Sequence, residues 1–167
     1  MKTIILFLAV LFLPCKDKNQ DKNQDKNQDK FQERYQERYQ EKNQKELYKG
    51  TLNGSIKIML YINEQEHPCG GNSTILNAMY KYDNQKKWIL LNITTDKQNK
   101  KYAMVEDNFS GALFLQKQNN SFYGTWISPN TKKQFKVILE KTILDETSSE
   151  KLEAILFDDL LYNKNDC

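Results

Sequence analysis

The chain has 167 residues, of which 38% are hydrophobic, and 25 Lys and Arg against 22 Asp and Glu give it a net charge of +3. This length suits one domain with appendages and is short for two. The weak net charge gives no reason to expect nucleic acid as a partner. The single histidine, His67, excludes a metal site that needs two imidazole ligands. We expect neither a metal nor a cofactor.

The first 15 residues have the layout of a secretory signal. Lys2 precedes a run from Thr3 to Leu13 in which only Thr3 is polar, and the run is shorter than the ~20 residues of a membrane-spanning helix. Cys15 stands where this run ends and charged residues begin, a junction that resembles the lipobox of bacterial lipoproteins. The resemblance implies a signal peptide at residues 1–14 and lipidation of Cys15. An ordinary signal peptide that is cut nearby is the alternative.

The lipobox resemblance also implies a place in the cell. A protein lipidated at Cys15 would be held at the bacterial cell envelope by acyl chains, as an outer-membrane lipoprotein whose polypeptide stays in water. The charged residues 16–18 resemble the export signal of surface lipoproteins of the Bacteroidota. We therefore expect a membrane contact through the lipid and exposure at the cell surface.

Residues 17–44 form seven tandem four-residue repeats, which begin as Asp-Lys-Asn-Gln and change to Glu-Arg-Tyr-Gln. A four-residue period places like charges at i and i+4 of a helix, which is unfavourable, and the large apolar groups are few. We predict a mostly disordered stalk over residues 15–47, with partial helix from Phe31 to Leu47. A helical stripe of Phe31, Tyr35 and Tyr39 that binds a glycan or a partner helix is the alternative.

From Tyr48 the pattern changes to short runs of alternating apolar and polar residues, separated by clusters of Asn, Gly, Asp and Lys. Such runs predict strands. The predicted strands are residues 48–52, 55–62, 75–82, 88–94, 101–106, 110–116, 121–128 and 134–140. Asn53-Gly54 is the strongest hairpin signal among the connections.

Eight consecutive hairpin-linked strands predict an all-β domain over residues 48–143, an antiparallel meander that closes into a small barrel and so removes its exposed edges. Ile56, Ile58, Leu60 and Ile62 alternate with less apolar residues, as expected where one face points inward. Gly111 and Gly124 are expected at strand bends. We expect the barrel to be filled by bulky side chains, namely Trp88, Phe114, Phe122 and Trp126.

Part of this domain resembles a small all-β module of uncharacterised lipoproteins of the Bacteroidota. The specific element is Tyr123-Gly-Thr-Trp-Ile-Ser-Pro-Asn-Thr-Lys-Lys133, supported by Tyr48-Lys-Gly-Thr-Leu-Asn-Gly54 and Ser110-Gly-Ala-Leu113. The resemblance covers residues 48–141 and implies a calycin-like barrel. It implies no catalytic residue.

Residues 144–167 predict an amphipathic C-terminal helix with a tail. Thr147-Ser-Ser-Glu150 has the spacing of a capping box before Leu152, Ile155, Leu156 and Leu160. The segment holds seven acids and two lysines, whereas residues 48–143 hold 13 lysines and seven acids. The helix could lie on a basic barrel surface, or both charge sets could simply be solvated.

Few residues suggest chemistry. Cys69 and Cys167 are a candidate disulfide, because an even pair in an oxidising compartment tends to be bonded. His67 and Cys69 together lack a third orienting group for nucleophilic catalysis. The acid pairs Glu64/Glu66, Glu106/Asp107 and Asp158/Asp159 are interpreted as solvated. We expect no catalytic residue and no enzyme activity.

The sequence therefore favours a non-enzymatic, envelope-anchored lipoprotein that presents a small β-barrel to a protein, a glycan or a small ligand. One alternative is a structural protein of the envelope. The other is a secreted inhibitor of a hydrolase.

Overall fold

The computed structural model describes residues 43–69 and 73–165, which belong to the second of the two units, residues 39–167, into which the chain divides. The signal peptide, Cys15, most of the predicted stalk and Cys167 lie outside the described residues. The eight strands are β1 (Gln44–Leu52), β2 (Ile56–Glu66), β3 (Thr74–Tyr82), β4 (Ile89–Thr95), β5 (Lys101–Glu106), β6 (Ala112–Gln118), β7 (Ser121–Ile127) and β8 (Gln134–Thr142).

The strands form a closed antiparallel barrel in chain order, with β8 paired back to β1. This confirms the predicted fold, and each predicted strand overlaps one that is present. Asn53 and Gly54 both have positive φ, 53° and 76°, the left-handed conformation that tight hairpin turns use. At Gly50 the backbone of β8 passes so close that a Cβ atom would collide with the carbonyl of Ile138.

The first strand begins four residues earlier than predicted. Residues 44–47 pair with β2, from Gln44 opposite Glu64 to Leu47 opposite Tyr61. The prediction of stalk or partial helix up to Leu47 is therefore wrong for these four residues. They alternate as a strand requires, since Glu46 shares the inner face with Tyr48 while Leu47 packs outside, against the helix.

The barrel interior is filled by its own side chains. The inner cluster includes Tyr48, Tyr80, Tyr102, Phe122 and Trp126, each at most 9% exposed. The rings of Tyr48 and Tyr102 contact Phe122 edge-on at 4.7 and 5.0 Å, an arrangement that aromatic quadrupoles favour.

Two of the four bulky residues expected in the interior lie elsewhere. Phe122 and Trp126 are inside, as predicted, but Phe114 is 49% exposed on the outer face, because it stands between the inward Leu113 and Leu115 of β6. Trp88 precedes β4 and belongs to a second, outer cluster. The ammonium group of Lys81 lies 5.3 Å from the centre of its ring.

The outer cluster lies under the C-terminal helix. This helix consists of α1 (Glu146–Ala154), the wider π-helical turns of Ile155–Leu161, and α2 (Tyr162–Asn165). Its inward side chains cover Tyr61, Met79 and Leu90 on the outside of the barrel. The set that the helix contributes is Leu152, Leu156, Ile155, Phe157, Leu160 and Leu161, which includes all four residues predicted to pack.

The helix starts with a different cap from the predicted one. Asp145, not Thr147, is the N-cap, and its carboxylate accepts hydrogen bonds from the backbone N–H and the hydroxyl of Ser148, at 2.9 and 2.7 Å. The N-cap therefore lies two residues before the predicted one. Glu153 then ties α1 to the barrel, since it accepts hydrogen bonds from Lys45 at 2.7 Å and from the buried Asn63 at 3.2 Å.

A buried carboxylate holds one end of the barrel together. Glu106, the last residue of β5, is 4% exposed, so its interpretation as one of a solvated pair is wrong. One oxygen accepts hydrogen bonds from the hydroxyl of Tyr80 at 2.5 Å and from the indole N–H of Trp126 at 2.7 Å, and the other accepts from Ser110 at 2.6 Å. Burial of a carboxylate is tolerated only with such partners.

Gly111 leaves the room that this carboxylate needs. A Cβ atom there would collide with a carboxylate oxygen of Glu106 and with the indole of Trp126. The glycine and the tryptophan that the sequence singled out are therefore parts of one cluster, which joins β3, β5 and β7.

We predict that Glu106→Leu lowers the free energy of unfolding by about 3 kcal/mol, because it leaves the hydrogen-bond donors of Tyr80 and Trp126 buried without an acceptor. Glu106→Gln is the matched control and should cost only about 1 kcal/mol, since its carbonyl can still accept from both while its amide donates to Ser110. Urea unfolding of both variants measures the difference. Equal stability of the Leu variant and the wild type would contradict this role.

Candidate functional site

The end of the barrel where β1 begins is closed by ion pairs. Glu46 is directed into this end and its side chain is only 12% exposed. It binds the ammonium groups of Lys117 and Lys141 at 2.7 and 2.8 Å and accepts a hydrogen bond from the Tyr48 hydroxyl at 2.8 Å. This end is therefore blocked by polar side chains that satisfy one another.

These contacts shift the acidity of the groups involved. Burial by itself would raise the pKa of Glu46, but the hydrogen bonds from Lys117, Lys141 and Tyr48 together outweigh it, and the pKa lies below its ordinary value. Burial and the hydrogen bond to Glu46 raise the pKa of Tyr48 far above its ordinary value. At neutral pH the carboxylate is ionised and the phenol is neutral, which suits the hydrogen bond between them.

The outer surface of the barrel is covered on one side only. The helix packs over outward residues of β1 to β4, whereas outward residues of β5 to β8 face water. Two neighbouring cross-strand rows lie on this uncovered side and are set by the registers of β5, β6, β7 and β8. They are Ala103, Phe114, Thr125 and Lys136, and Lys101, Gln116, Tyr123 and Ile138. We call these two rows the lysine-rimmed face.

The lysine-rimmed face exposes two aromatic rings. Phe114 is 49% and Tyr123 is 39% exposed, and they lie on adjacent strands in adjacent rows. Between them and Lys101 lies a depression of about 500 Å³, which reaches Thr94 and Asp96. The two rows carry two lysines and no carboxylate, and Asp96 stands at the far edge of the depression.

Asp96 itself is engaged with the backbone of its own turn. Its carboxylate accepts hydrogen bonds from the N–H groups of Lys100 and Lys101 at 2.7 and 3.1 Å. These backbone hydrogen bonds, Lys101 foremost, lower the pKa of Asp96. The exposed ammonium groups of Lys101 and Lys136 thus give the face a positive border.

In the part of the chain that the structure describes, the residues that the sequence marked as candidates for chemistry form no cluster of three or more metal-ligating side chains. The backbone N–H of Cys69 donates to the Nδ1 atom of His67 at 3.2 Å, and Cys69 is exposed. The pairing of Cys69 with Cys167 stays a prediction, because Cys167 lies outside the described residues. Glu64 accepts a hydrogen bond from the Thr74 hydroxyl at 2.6 Å, and Asp158 and Asp159 are exposed on the helix.

Sequence reasoning missed the two features that define the surface. It placed Phe114 inside and gave Tyr123 no separate role. The sequence Leu113-Phe114-Leu115 could have predicted the position of Phe114. Successive side chains of a strand point to opposite faces, so two inward leucines place the phenylalanine between them on the outer face.

Comparisons with known proteins give no further indication. No protein-family model matches the chain, and neither the curated proteins nor the solved structures contain a match. Within residues 43–69 and 73–165, no helix is both long and apolar enough to cross a membrane.

We predict that acid destabilises the wild type more steeply than Glu46→Gln. The folded-state pKa of Glu46 lies below its unfolded value, so the stability that the carboxylate contributes is present above about pH 4.5 and is lost as the pH falls through the lower folded-state pKa. Unfolding free energies from pH 7 down to about pH 2 measure this, with Glu140→Gln, on the exposed surface of β8, as the control. Parallel curves for wild type and Glu46→Gln would contradict the assignment.

Proposed function

We propose that the chain is an envelope-anchored lipoprotein without catalytic activity whose barrel binds a partner protein through the lysine-rimmed face. The observation that carries the proposal is the pair of exposed rings, Phe114 and Tyr123, on a sheet surface that the helix leaves uncovered. Contiguous apolar surface of this kind is typical of interaction sites. Tyrosine and phenylalanine are enriched at the centres of protein interfaces.

A partner protein fits the face better than a small ligand or a glycan. The interior of the barrel, where small barrels hold a ligand, is occupied by Tyr48, Tyr102, Phe122 and the rest of the inner cluster. On the face, the neighbours of the two rings are the apolar Ala103 and Ile138 together with polar side chains such as Gln116 and Thr125, but the surface of the depression beside the rings is mostly apolar. A mostly apolar depression suits an apolar side chain of a protein better than sugar hydroxyls.

The positive charge at the border of the face indicates which charged groups the partner should carry. Lys101 and Lys136 are exposed on either side of the rings, so a partner with apolar side chains bordered by carboxylates would be complementary. Such charges mainly set the association rate and the orientation of the partner. The aromatic centre would supply most of the affinity.

We predict that Phe114→Ser combined with Tyr123→Ser abolishes partner binding and leaves the fold intact, because both rings lie on the outer face, 49% and 39% exposed, and belong to neither buried cluster. Photo-crosslinking from position 114 in intact cells identifies the partner, and calorimetry with the two purified proteins measures the affinity. The matched control is Tyr162→Ser, which removes a more exposed ring, 62% exposed, from the helix end.

Two outcomes decide this prediction. Loss of binding in the double variant alone, with weaker binding of Lys136→Glu and a salt-dependent association rate, supports the face. Equal loss in Tyr162→Ser, or full binding by the double variant, overturns it. If the partner is a hydrolase, its residual activity in the complex tests the inhibitor alternative.

We predict that the mature chain extracted from its native membrane begins at a lipidated Cys15, and that Cys15→Ser releases the protein from the membrane fraction. Intact-mass spectrometry determines both the first residue of the mature chain and the mass of the attached acyl chains. The same spectrum tests the Cys69–Cys167 pair, since reduction of a disulfide adds the mass of two hydrogen atoms. A lipid-free mass would contradict the lipid anchor. It would not bear on partner binding by the lysine-rimmed face, which the variants above test.

A further inference from the structure

The end of the barrel away from Glu46 is formed by the connections between consecutive strands. These are residues 53–55, 83–88, 107–111 and 128–133. Because the strands pair in chain order around a closed barrel, residues 107–111 lie between the connections 83–88 and 128–133. We call these four connections the basic tip.

Phe109 is the most exposed aromatic residue in the part of the chain that the structure describes. It is 65% exposed and belongs to neither buried cluster. Its φ is 53°, in the left-handed region that residues other than glycine and asparagine rarely adopt. The ring is therefore held at the surface by a backbone conformation that is unfavourable for phenylalanine.

The buried Glu106 cluster fixes the connection that carries this ring. The hydroxyl of Ser110 donates a hydrogen bond to the Glu106 carboxylate at 2.6 Å, and the N–H of Glu106 donates to the carbonyl of Gly111 at 2.9 Å. The residues next to Phe109 are thus attached to the core. Strained residues that the surrounding structure holds in place are concentrated at functional sites.

The basic tip carries more positive than negative charge. Its lysines are Lys86, Lys87, Lys132 and Lys133, and all four are exposed. Within residues 43–69 and 73–165, none of them makes an ion pair with an acid. Their ammonium groups are available to an anionic partner on both sides of the connection that carries Phe109.

The two acids of the basic tip lie beside other cations. The Asp107 carboxylate is 3.7 Å from the ammonium group of Lys164 in α2. The N–H of Asp83 donates to the carbonyl of Lys57 at 2.9 Å, and both residues line the same depression. Glu106, next to the tip, is buried and accepts hydrogen bonds from three side chains. None of these acids is placed to neutralise the four lysines.

The connection that carries two of the lysines is held in shape by its own side chains. The N–H of Lys132 donates to Oδ1 of Asn130 at 3.1 Å, and the N–H of Lys133 donates to Oγ of Ser128 at 3.0 Å. This connection belongs to residues 123–133, the most specific element of the sequence. The element therefore builds a firm base from which two ammonium groups extend into water.

We propose that the basic tip binds the surface of a bilayer that contains anionic lipids. The ring of Phe109 enters the headgroup region, as exposed phenylalanines of membrane-surface segments do, and the lysines bind lipid phosphates. A bilayer suits the tip better than a protein, because a fluid surface can meet a projecting ring and spread lysines without a matched pocket. This site depends neither on the lysine-rimmed face nor on an acyl chain.

The position of the tip is compatible with an anchor at Cys15. The chain enters the barrel at the opposite end, and the nine residues of β1 extend over about 30 Å. The 29 residues from Cys15 to Asn43 span at most about 100 Å. A chain anchored at Cys15 can therefore place the tip on the same bilayer.

Vesicle co-sedimentation tests the proposal with the mature chain carrying Cys15→Ser, which has no site for an acyl chain. Vesicles of phosphatidylcholine mixed with phosphatidylglycerol are compared with vesicles of phosphatidylcholine alone. We expect binding to the anionic vesicles to be at least about tenfold stronger, because each lysine near the surface adds attraction, and to weaken as salt is added. Equal binding to both kinds of vesicle would overturn the proposal.

Charge reversal locates the contact. Lys132→Glu combined with Lys133→Glu should weaken binding to the anionic vesicles at least about tenfold. The matched control is Lys97→Glu combined with Lys100→Glu, which reverses two exposed lysines at the opposite end of the barrel and should bind like the wild type. Full binding by the first variant, or an equal loss in both, would refute the role of the tip.

Phe109→Asn separates a bilayer from other anionic partners. Asparagine adopts a positive φ more readily than phenylalanine, so urea unfolding should show no loss of stability. Binding to the anionic vesicles should fall about tenfold, because the ring no longer enters the headgroup region. Full binding by this variant would indicate a general anion-binding surface, as for a nucleic acid, and would overturn the bilayer proposal.

The variants of the lysine-rimmed face distinguish this proposal from the proposed function. Phe114→Ser combined with Tyr123→Ser should bind the anionic vesicles like the wild type, whatever its effect on a partner protein. A loss of vesicle binding in that double variant would place the bilayer contact on the lysine-rimmed face and overturn its assignment to the tip.

Discussion

The pairing of the first strand with the last is the constraint on which the rest of the structure depends. β1 and β8 pair from Leu47 opposite Thr142 to Leu52 opposite Val137, and Gly50 lets their backbones approach. A closed sheet has an inside and an outside, so alternation along each strand assigns every side chain to one of two environments. The buried Glu106 cluster, the ion pairs of Glu46 and the exposed rings all follow from that assignment.

The two halves of the outer barrel surface differ in how they are covered. One half of the outer surface carries enough apolar area to hold a helix, which is fixed by burial of Leu152 and Leu156 and by the Glu153 contacts. The other half leaves the rings of Phe114 and Tyr123 partly exposed to water. The acidic helix and the basic barrel share few ion pairs, so apolar burial rather than charge sets the position of the helix.

The alternation of apolar residues sufficed to predict the eight strands, the closure and the helix, because these depend on local period and on the need to bury one face. It did not suffice where contacts with residues distant in sequence determine whether a residue is buried or paired. Glu106 resembles a surface acid until Tyr80 and Trp126, from two other strands, supply its hydrogen bonds. Gln44 ends the repeat and residues 45–47 follow it directly, yet β2, joined by β8 at Leu47, supplies the partners that make this segment a strand. Phe114 was expected inside because it is large and aromatic, but its position between the inward Leu113 and Leu115 places it on the outer face.

The placement of Gln44 has a mechanical consequence. A chain held at its N-terminus and loaded by a partner on β5–β8 transmits tension through β1 along the strand axis. β1 is hydrogen bonded on both sides, to β2 from Gln44 to Leu52 and to β8 from Leu47 to Leu52. The force therefore acts along β1 and loads many of its backbone hydrogen bonds at the same time, so that they do not break one after another. We expect a barrel that is tethered through this strand to withstand a high force before it unfolds.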